Sequence, residues 1–384
     1  EELADAIQAC SRGASAGPNG ITTELLRVLT SDSICATEIA TMARDVINGD
    51  VSEVVRLRIT RCRLIGVPKP DGGLRPIAVG DALLKVCGNV LLHRLSLPLA
   101  EYFAGLQFGC GTKAGAECVV HRTRRHLETG ACVLTMDTSN AFNSIHRLAI
   151  SKELFARPGL EDLWRLFTLE YGSPSELIYA PYGAHRDVLY SSCGTRQGSA
   201  LGGLFFCVGL HPVLQRVAAA FPDLSVFGYM DDVTITGSAP ARMDAAMQMY
   251  RRECALIGLS LNPVKCEWYG PSPCPPAAQM QGVRAQHSVI RVLGAFLGDP
   301  AACSVSLQGY AVPDVDKQAS RLRSLPLSTS LLRLVRLCMA PIPTYLARTH
   351  PPGVSSASVT QIDDAIDITL NTWLDLQPRT PNSE

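Results

Sequence analysis

Residues 227–235 read Phe227-Gly228-Tyr229-Met230-Asp231-Asp232-Val233-Thr234-Ile235. Widened to 224–236, the stretch is two β-branched and aromatic runs meeting at an acidic pair, which predicts a hairpin with Asp231 and Asp232 at its tip. Adjacent carboxylates repel by roughly 4 kcal/mol at about 4 Å and an effective dielectric near 20. A pair bracketed by apolar strands therefore needs a cation to hold it together. Mg²⁺ suits the position, being a hard ion that takes one or two carboxylates and completes its shell with water and phosphate oxygens. A solvated Asp-Asp turn is the alternative, and the surrounding chain has to separate the two.

Upstream, Ala131-Cys-Val-Leu-Thr-Met136 is almost wholly apolar, as a central buried strand requires, and it delivers Asp137. A carboxylate at the end of a buried strand is costly to desolvate unless it is paired or bound to metal, so Asp137 reads as a ligand or, more plainly, as a helix cap. Between the two acidic stretches, Ser191 to Leu204 is a loop whose glycines let backbone approach a ligand before a helix begins. Nearer the start, Cys62–Val67 and Leu74–Val79 read as strands joined by a turn over Pro68–Gly73, a hairpin with Lys69 and Arg75 on either side of its turn. Cations so placed clamp an anion, or are exposed charges beside a loop.

The whole chain sets bounds on these readings. With 384 residues, 47% hydrophobic and 18% charged, it is globular and long enough for two or three subdomains. The net charge is zero, 35 basic against 35 acidic residues, which counts against a nucleic-acid protein. Basic residues nevertheless cluster at Arg56, Arg58, Arg61, Arg63, Lys69 and Arg75, at Arg122, Arg124 and Arg125, and at Arg321, Arg323, Arg333 and Arg336, a distribution that favours a phosphate-lined groove. The 14 cysteines are scattered without a Cys-x-x-Cys pair, so they read mostly as buried thiols and not as a zinc ribbon or disulfide framework. No apolar run approaches the 18 residues needed to span a bilayer and the first residues lack the pattern of a signal peptide, so an intracellular protein is expected, with nucleus and cytoplasm both open.

In chain order, residues 1–50 look helical around a Gly13–Gly20 loop, with Thr22 or Thr23 as a cap. Residues 81–104, about 115–127, 147–172 and 241–257 also show helix periodicity. In the last of these, Met243, Ala246, Met247, Tyr250, Cys254 and Ile257 form a core-facing stripe. Ile290–Gly298 reads as another hairpin, Asp314–Leu376 as a helical bundle broken by Pro341, Pro343 and Pro351-Pro352, and Gln377–Glu384 as a tail.

Taken in order, Ala16-Gly-Pro-Asn-Gly20, Gly72-Gly-Leu-Arg-Pro-Ile77, Asp137 with Ala141-Phe142, Arg196-Gln-Gly198 and Tyr229-Met-Asp-Asp232 resemble the reverse transcriptase family, from about Ser15 to Arg348. The texture is similar to enzymes of non-LTR, LINE-like retroelements. The resemblance implies an α+β right-hand polymerase, with fingers and part of the palm over 1–130, an antiparallel palm sheet on helices over 131–300, and a helical thumb and tail over 301–384. It implies Asp137, Asp231 and Asp232 as ligands of two Mg²⁺ ions, with Mn²⁺ as a substitute, and Lys265 as a general acid for the leaving pyrophosphate, although a solvated lysine fits the same place. It implies Lys69 and Arg75 on the triphosphate, and Thr138, Gln197 and Gly198 lining the substrate pocket. Phe142, five residues after Asp137, falls at the family's steric gate, where a ring excludes a 2′-hydroxyl; a core phenylalanine is the other reading. The implied partners are an RNA template, a DNA or RNA primer and dNTPs, with no membrane and the oligomeric state open. An RNA-dependent RNA polymerase, opposed by Phe142, and an inactive polymerase-derived RNA-binding scaffold, opposed by the intact Asp137, Asp231 and Lys265, are the alternatives.

Overall fold

A computed structural model of the chain describes residues 2–69, 72–180, 186–326 and 328–374. The middle of the Pro68–Gly73 turn, Glu1 and the Gln377–Glu384 tail lie outside the described residues. The architecture is mixed, with helices around small sheets. The strands are β1 (Cys62–Pro68), β2 (Leu74–Val79), β3 (Cys132–Met136), β4 (Thr138–Ser139), β5 (Ser175–Tyr179), β6 (Asp187–Ser191), β7 (Ser225–Tyr229), β8 (Asp232–Gly237), β9 (Ser260–Leu261), β10 (Glu267–Tyr269), β11 (Arg284–Ala285), β12 (Val289–Val292) and β13 (Ala295–Gly298). They fall in two compact units, one of Glu1–Gly115, Met136–Val233 and Asp244–Asn262, the other of Ala116–Thr135, Thr234–Met243 and Pro263–Glu384.

In the first unit, the Thr22 hydroxyl accepts from the Leu25 N–H at 3.2 Å and starts helix Thr23–Leu29. Asp32 caps helix Ser33–Asn48, which Gly49 closes in the left-handed conformation at φ 72. β1 and β2 pair antiparallel from Arg63 opposite Val79 to Pro68 opposite Leu74, and β5 and β6 extend the sheet in the order β2-β1-β5-β6. The Gly17–Gly20 loop is tied to this hairpin's end: the Asn19 side chain bonds Asp81, which itself caps helix Ala82–Arg94, and a Cβ on Gly17 would lie 2.5 Å from the Gly80 carbonyl oxygen. Helix Gly202–Ala220 runs through the core. Its 19 residues, with a mean hydropathy of 1.3, are long and apolar enough to cross a bilayer, which corrects the expectation that no run approaches that length; 61% of the segment is buried inside the protein, as in a core helix. Helix Arg147–Ala156 packs on it at Gly209, where a Cβ would stand 2.8 Å from Ile145 Cδ1 and 2.9 Å from Ile150 Cγ1.

In the second unit, β11, β10, β3 and the Thr234–Gly237 part of β8 lie in that order, with Trp268 opposite Leu134 in the antiparallel β10–β3 pair. β12 and β13 form the expected hairpin, from Val289 opposite Gly298 to Val292 opposite Ala295. Helices Pro300–Arg323, Thr329–Leu334, Pro341–Thr349 and Pro352–Leu374 close around Leu307, Val315, Val335, Met339, Leu346 and Ile362. The first of them begins well before the expected Asp314, because Asp299 caps it by accepting from the Ala302 N–H at 2.9 Å and Pro300 supplies a preset φ at its first position. Nine of the fourteen cysteines are buried and all are free thiols, as their scatter suggested.

Candidate active site

The β7–β8 turn forms at Met230, which takes φ 54, a left-handed conformation rare for a residue with a side chain. The turn presents Asp231, half-buried, and Asp232, exposed, at its outer end. Asp137 arrives from another direction: β3 is buried at four of five positions, and the chain leaves it at the half-buried Asp137, whose carbonyl accepts the Asn262 N–H at 2.9 Å. Asp137 and Asp231 are brought within electrostatic reach of each other. Burial first, and then the charge of Asp137, push the Asp231 carboxyl above the usual carboxylate range, while its own backbone N–H and Arg75 draw it down. Among the described residues no group of three or more His, Cys, Asp or Glu side chains is gathered closely enough to hold a metal ion.

Arg75, exposed on β2 opposite Val67, is the cation whose field reaches Asp231. Lys69, also exposed, closes the preceding turn through its N–H to the Gly73 carbonyl at 2.7 Å. Phe142 is half-buried in the short helix Ala141–Ser144, its ring 4.5 Å from that of Phe206, and its carbonyl accepts the Thr195 N–H at 2.7 Å. Thr138 is buried, 7% exposed, and pairs with Leu261 in the β4–β9 ladder. Gln197 is fastened to β2 through the Ala78 N–H, which donates to its carbonyl at 2.7 Å, and Gly198 follows at φ 111, where a Cβ would meet the Ala78 oxygen at 2.5 Å. The Gln197 Oε1 is buried with no hydrogen-bond partner among the described residues, an acceptor of the kind a ligand donor satisfies. A cleft of about 200 Å³ opens beside this segment, lined by Thr22, Ala78, Asp81, Gly198, Ser199 and Ala200. Lys265 belongs to the second unit, exposed at the end of the turn Pro263–Lys265.

Sequence reasoning quoted Arg196 within a motif but gave it no role, and it missed the other residues that hold these parts. Arg196 is 3% exposed and pairs with the equally buried Glu170 at 2.7 Å, while donating to the Thr60 carbonyl at 2.8 Å and Ser175 Oγ at 2.7 Å. Burial opposes its charge, but Tyr171, Cys62 and Glu170 outweigh that and hold its pKa above the ordinary value. The available signal was Glu170 itself, an acid among Leu163, Leu166, Phe167, Leu169 and Tyr171 on a buried helix. Arg147 donates to the Gly194 and Ser191 carbonyls, each at 3.0 Å, and so braces the same loop. Gln107, buried in the loop after helix Ser96–Phe103, bonds the backbone of Met230.

Part of each basic cluster is engaged internally. Arg56 pairs with Glu53 at 2.6 Å, Arg61 with Glu176 at 2.7 Å, and Arg63 donates to the Ala16 carbonyl at 3.2 Å. In the second unit, Arg124 bonds the Thr349 carbonyl and Arg323 reaches Thr369 Oγ1 at 3.2 Å. The β12–β13 hairpin is anchored there: Tyr345 donates to the Leu293 carbonyl at 2.6 Å, and the Phe296 N–H donates to His350 Nε2 at 3.0 Å. Burial, with help from Arg124, lowers the His350 pKa below the usual histidine value, against the pull of the Leu346 carbonyl.

A hairpin-borne aspartate in the field of a second aspartate at a strand's end and of an arginine on another hairpin gathers hard oxygen donors and a cation, groups suited to a divalent ion and to phosphate. Residues 67–295 match the family described as reverse transcriptase (RNA-dependent DNA polymerase), and with more than half of its length covered the chain belongs to that family. The family's palm and fingers come with it. The chain is also similar to the "Retrotransposable element SLACS 132 kDa protein" of Trypanosoma brucei gambiense, with 34% identity over 236 residues, 61% of this chain and 20% of that protein. This member of the reverse transcriptase family spans about a fifth of the length of that curated relative.

Proposed function

We propose that the chain extends a DNA or RNA primer with dNTPs along an RNA template. The observation that carries this reading is the half-buried Asp137–Asp231 pair with Arg75 in its field. Its donors are hard carboxylate oxygens whose mutual repulsion and desolvation a divalent cation relieves, so the residues present fit Mg²⁺, or Mn²⁺ in its place. Asp137 and Asp231 would hold two such ions, with Asp232 joining them from the outer side of the turn. Bound there, the ions supply Lewis-acid activation of the primer 3′-hydroxyl and neutralisation of the triphosphate during an in-line displacement.

The chain's own residues do the rest. Arg75 and Lys69 grip the triphosphate, Arg by a forked contact and Lys as a point charge. Phe142, fixed against Phe206, closes the space a 2′-hydroxyl would need. Gln197 offers its unpartnered oxygen and Gly198 a flat backbone to the incoming nucleotide and template, and Thr138 shapes the pocket from beneath. Lys265 hands a proton to the departing pyrophosphate. In this reading 1–130 are fingers with part of the palm, 131–300 the palm, with β12–β13 gripping the primer end, and 301–384 the thumb. Primer extension on an RNA template with Mg²⁺, beside an Asp231→Asn control, tests the proposal. Product from the wild-type chain alone supports it; equal product from the control, or none from well-folded protein, overturns it.

A further inference from the structure

The turn that carries Asp231 does not hold its own shape. Met230 sits in the left-handed region at φ 54, where an L-residue stays only if its surroundings fix it there. The fixing group is the side-chain amide of Gln107, which is 1% exposed. Its Oε1 accepts the Met230 N–H at 2.9 Å, and its Nε2 donates to the Met230 carbonyl at 3.2 Å, so one carboxamide engages both polar groups of a single residue. The Gly109 N–H donates to the same Oε1 at 2.9 Å and fixes which way the amide faces. On either side of Gln107, the Leu106 carbonyl and the Phe108 N–H bracket Gly228, each at 2.7 Å. The approach is too close for side chains: a Cβ on Gly109 would lie 2.5 Å from the Met230 nitrogen, and one on Gly228 would lie 3.1 Å from Gln107 Nε2. Beneath the turn, Cys207 Sγ closes on Met230 Sδ at 3.5 Å.

We propose that Gln107 is a positioning residue for nucleotidyl transfer: by clamping the Met230 backbone it sets the direction in which Asp231 leaves the turn. The inference rests on the polymerase reading above and extends it to a residue that touches neither substrate nor ion. An amide is the group the place requires. An ionised carboxylate of the same shape keeps the acceptor but cannot donate to the Met230 carbonyl, and it adds its negative charge to those of Asp137, Asp231 and Asp232.

The test compares wild type with Gln107→Glu, which preserves volume, and Gln107→Ala, using the full chain. Amide hydrogen exchange over residues 225–233 reads the clamp without any catalysis, and steady-state extension on an RNA template with Mg²⁺ reads its use. The expected result is faster exchange in that segment for both variants, with the rest of the chain still protected. A fall in kcat of about 10²-fold should accompany it, as misplacement of a catalytic group produces, with the KM for dNTP within about threefold of wild type. Unchanged exchange, or a kcat within about twofold of wild type in either folded variant, overturns the proposal, as does a loss confined to KM. Should Gln107→Ala fail to fold, Gln107→Glu decides. If the wild-type chain itself makes no product, the polymerase reading fails while the exchange comparison still decides the clamp.

Discussion

Asp231 binds its proton more tightly in the folded chain than a free aspartate does, because burial and Asp137 both resist its charge. The stability this brings is complete below the unfolded pKa of about 3.9 and is lost as pH rises through the folded value. At neutral pH, without divalent ions, the ionised pair is a strain on the fold. Asp231→Asn is therefore expected to raise the Tm in EDTA at pH 7, to flatten the decline of Tm from pH 4 to 7, and to cut primer extension by about 10²-fold or more. Differential scanning calorimetry beside an extension assay checks both, and an equal or lower Tm for the variant contradicts the account. Phe142→Ala, which removes the ring seated on Phe206, should narrow the preference for dNTP over rNTP by at least about tenfold, since a missing steric wall is worth on the order of 10² in discrimination. Competition extension with a paired dNTP and rNTP measures it. That Asp137 and Asp231 come within electrostatic reach was legible because charges beside apolar strands stand out in a single line of sequence, whereas Phe142 was singled out by the family resemblance. Gln107 and Glu170 did not stand out, since their roles come from partners far away in the chain, Met230 and Arg196.

Helix and strand contacts follow the same logic over longer stretches. At Gly209 helix Arg147–Ala156 packs against the core helix, and Ile145 and Ile150 already occupy the volume of a Cβ. Alanine normally stabilises a helix interior by about 1 kcal/mol over glycine, but overpacking here costs about 1–3 kcal/mol, so Gly209→Ala should lower stability on urea unfolding. The anchored β12–β13 hairpin has a different sensitivity. His350 is held neutral by burial, so its contribution is complete above the ordinary histidine pKa of about 6.5 and is lost as pH falls below it. From pH 7.5 to 5.5 the wild-type Tm should fall further than that of His350→Gln, whose amide oxygen can still accept the Phe296 N–H; parallel curves would refute this. Sequence periodicity gave most helices and the three hairpins. It missed β5 and β6, because β6 exposes four of its five residues and shows no alternation to read. It also placed the Pro300–Arg323 helix late, overlooking the Asp299-Pro300 start signal.

For the whole molecule, net charge and local charge give different expectations. With no overall surplus of cations, and with Arg56, Arg61 and Arg63 already engaged, the proposed binding of a template is expected to use few phosphate contacts. Three contacts to single-stranded RNA correspond to a loss of about tenfold or somewhat more between 50 and 200 mM salt, and a titration by fluorescence anisotropy should find a slope near that value and well short of one for six to ten contacts. That helices and strands share the chain was readable from its changes of texture, while the α+β class was what the family resemblance implied. The partition into units was not, because it depends on which distant segments pack together. Each unit is drawn from three separate stretches, and the chain crosses from one to the other after residues 115, 135, 233, 243 and 262. Shuffling blocks of this gene with those of a relative will thus tear one unit or the other wherever a breakpoint misses these seams. Viable hybrids should inherit their parentage in interleaved pieces, with the acidic residues 137 and 231 each lying within two positions of a junction.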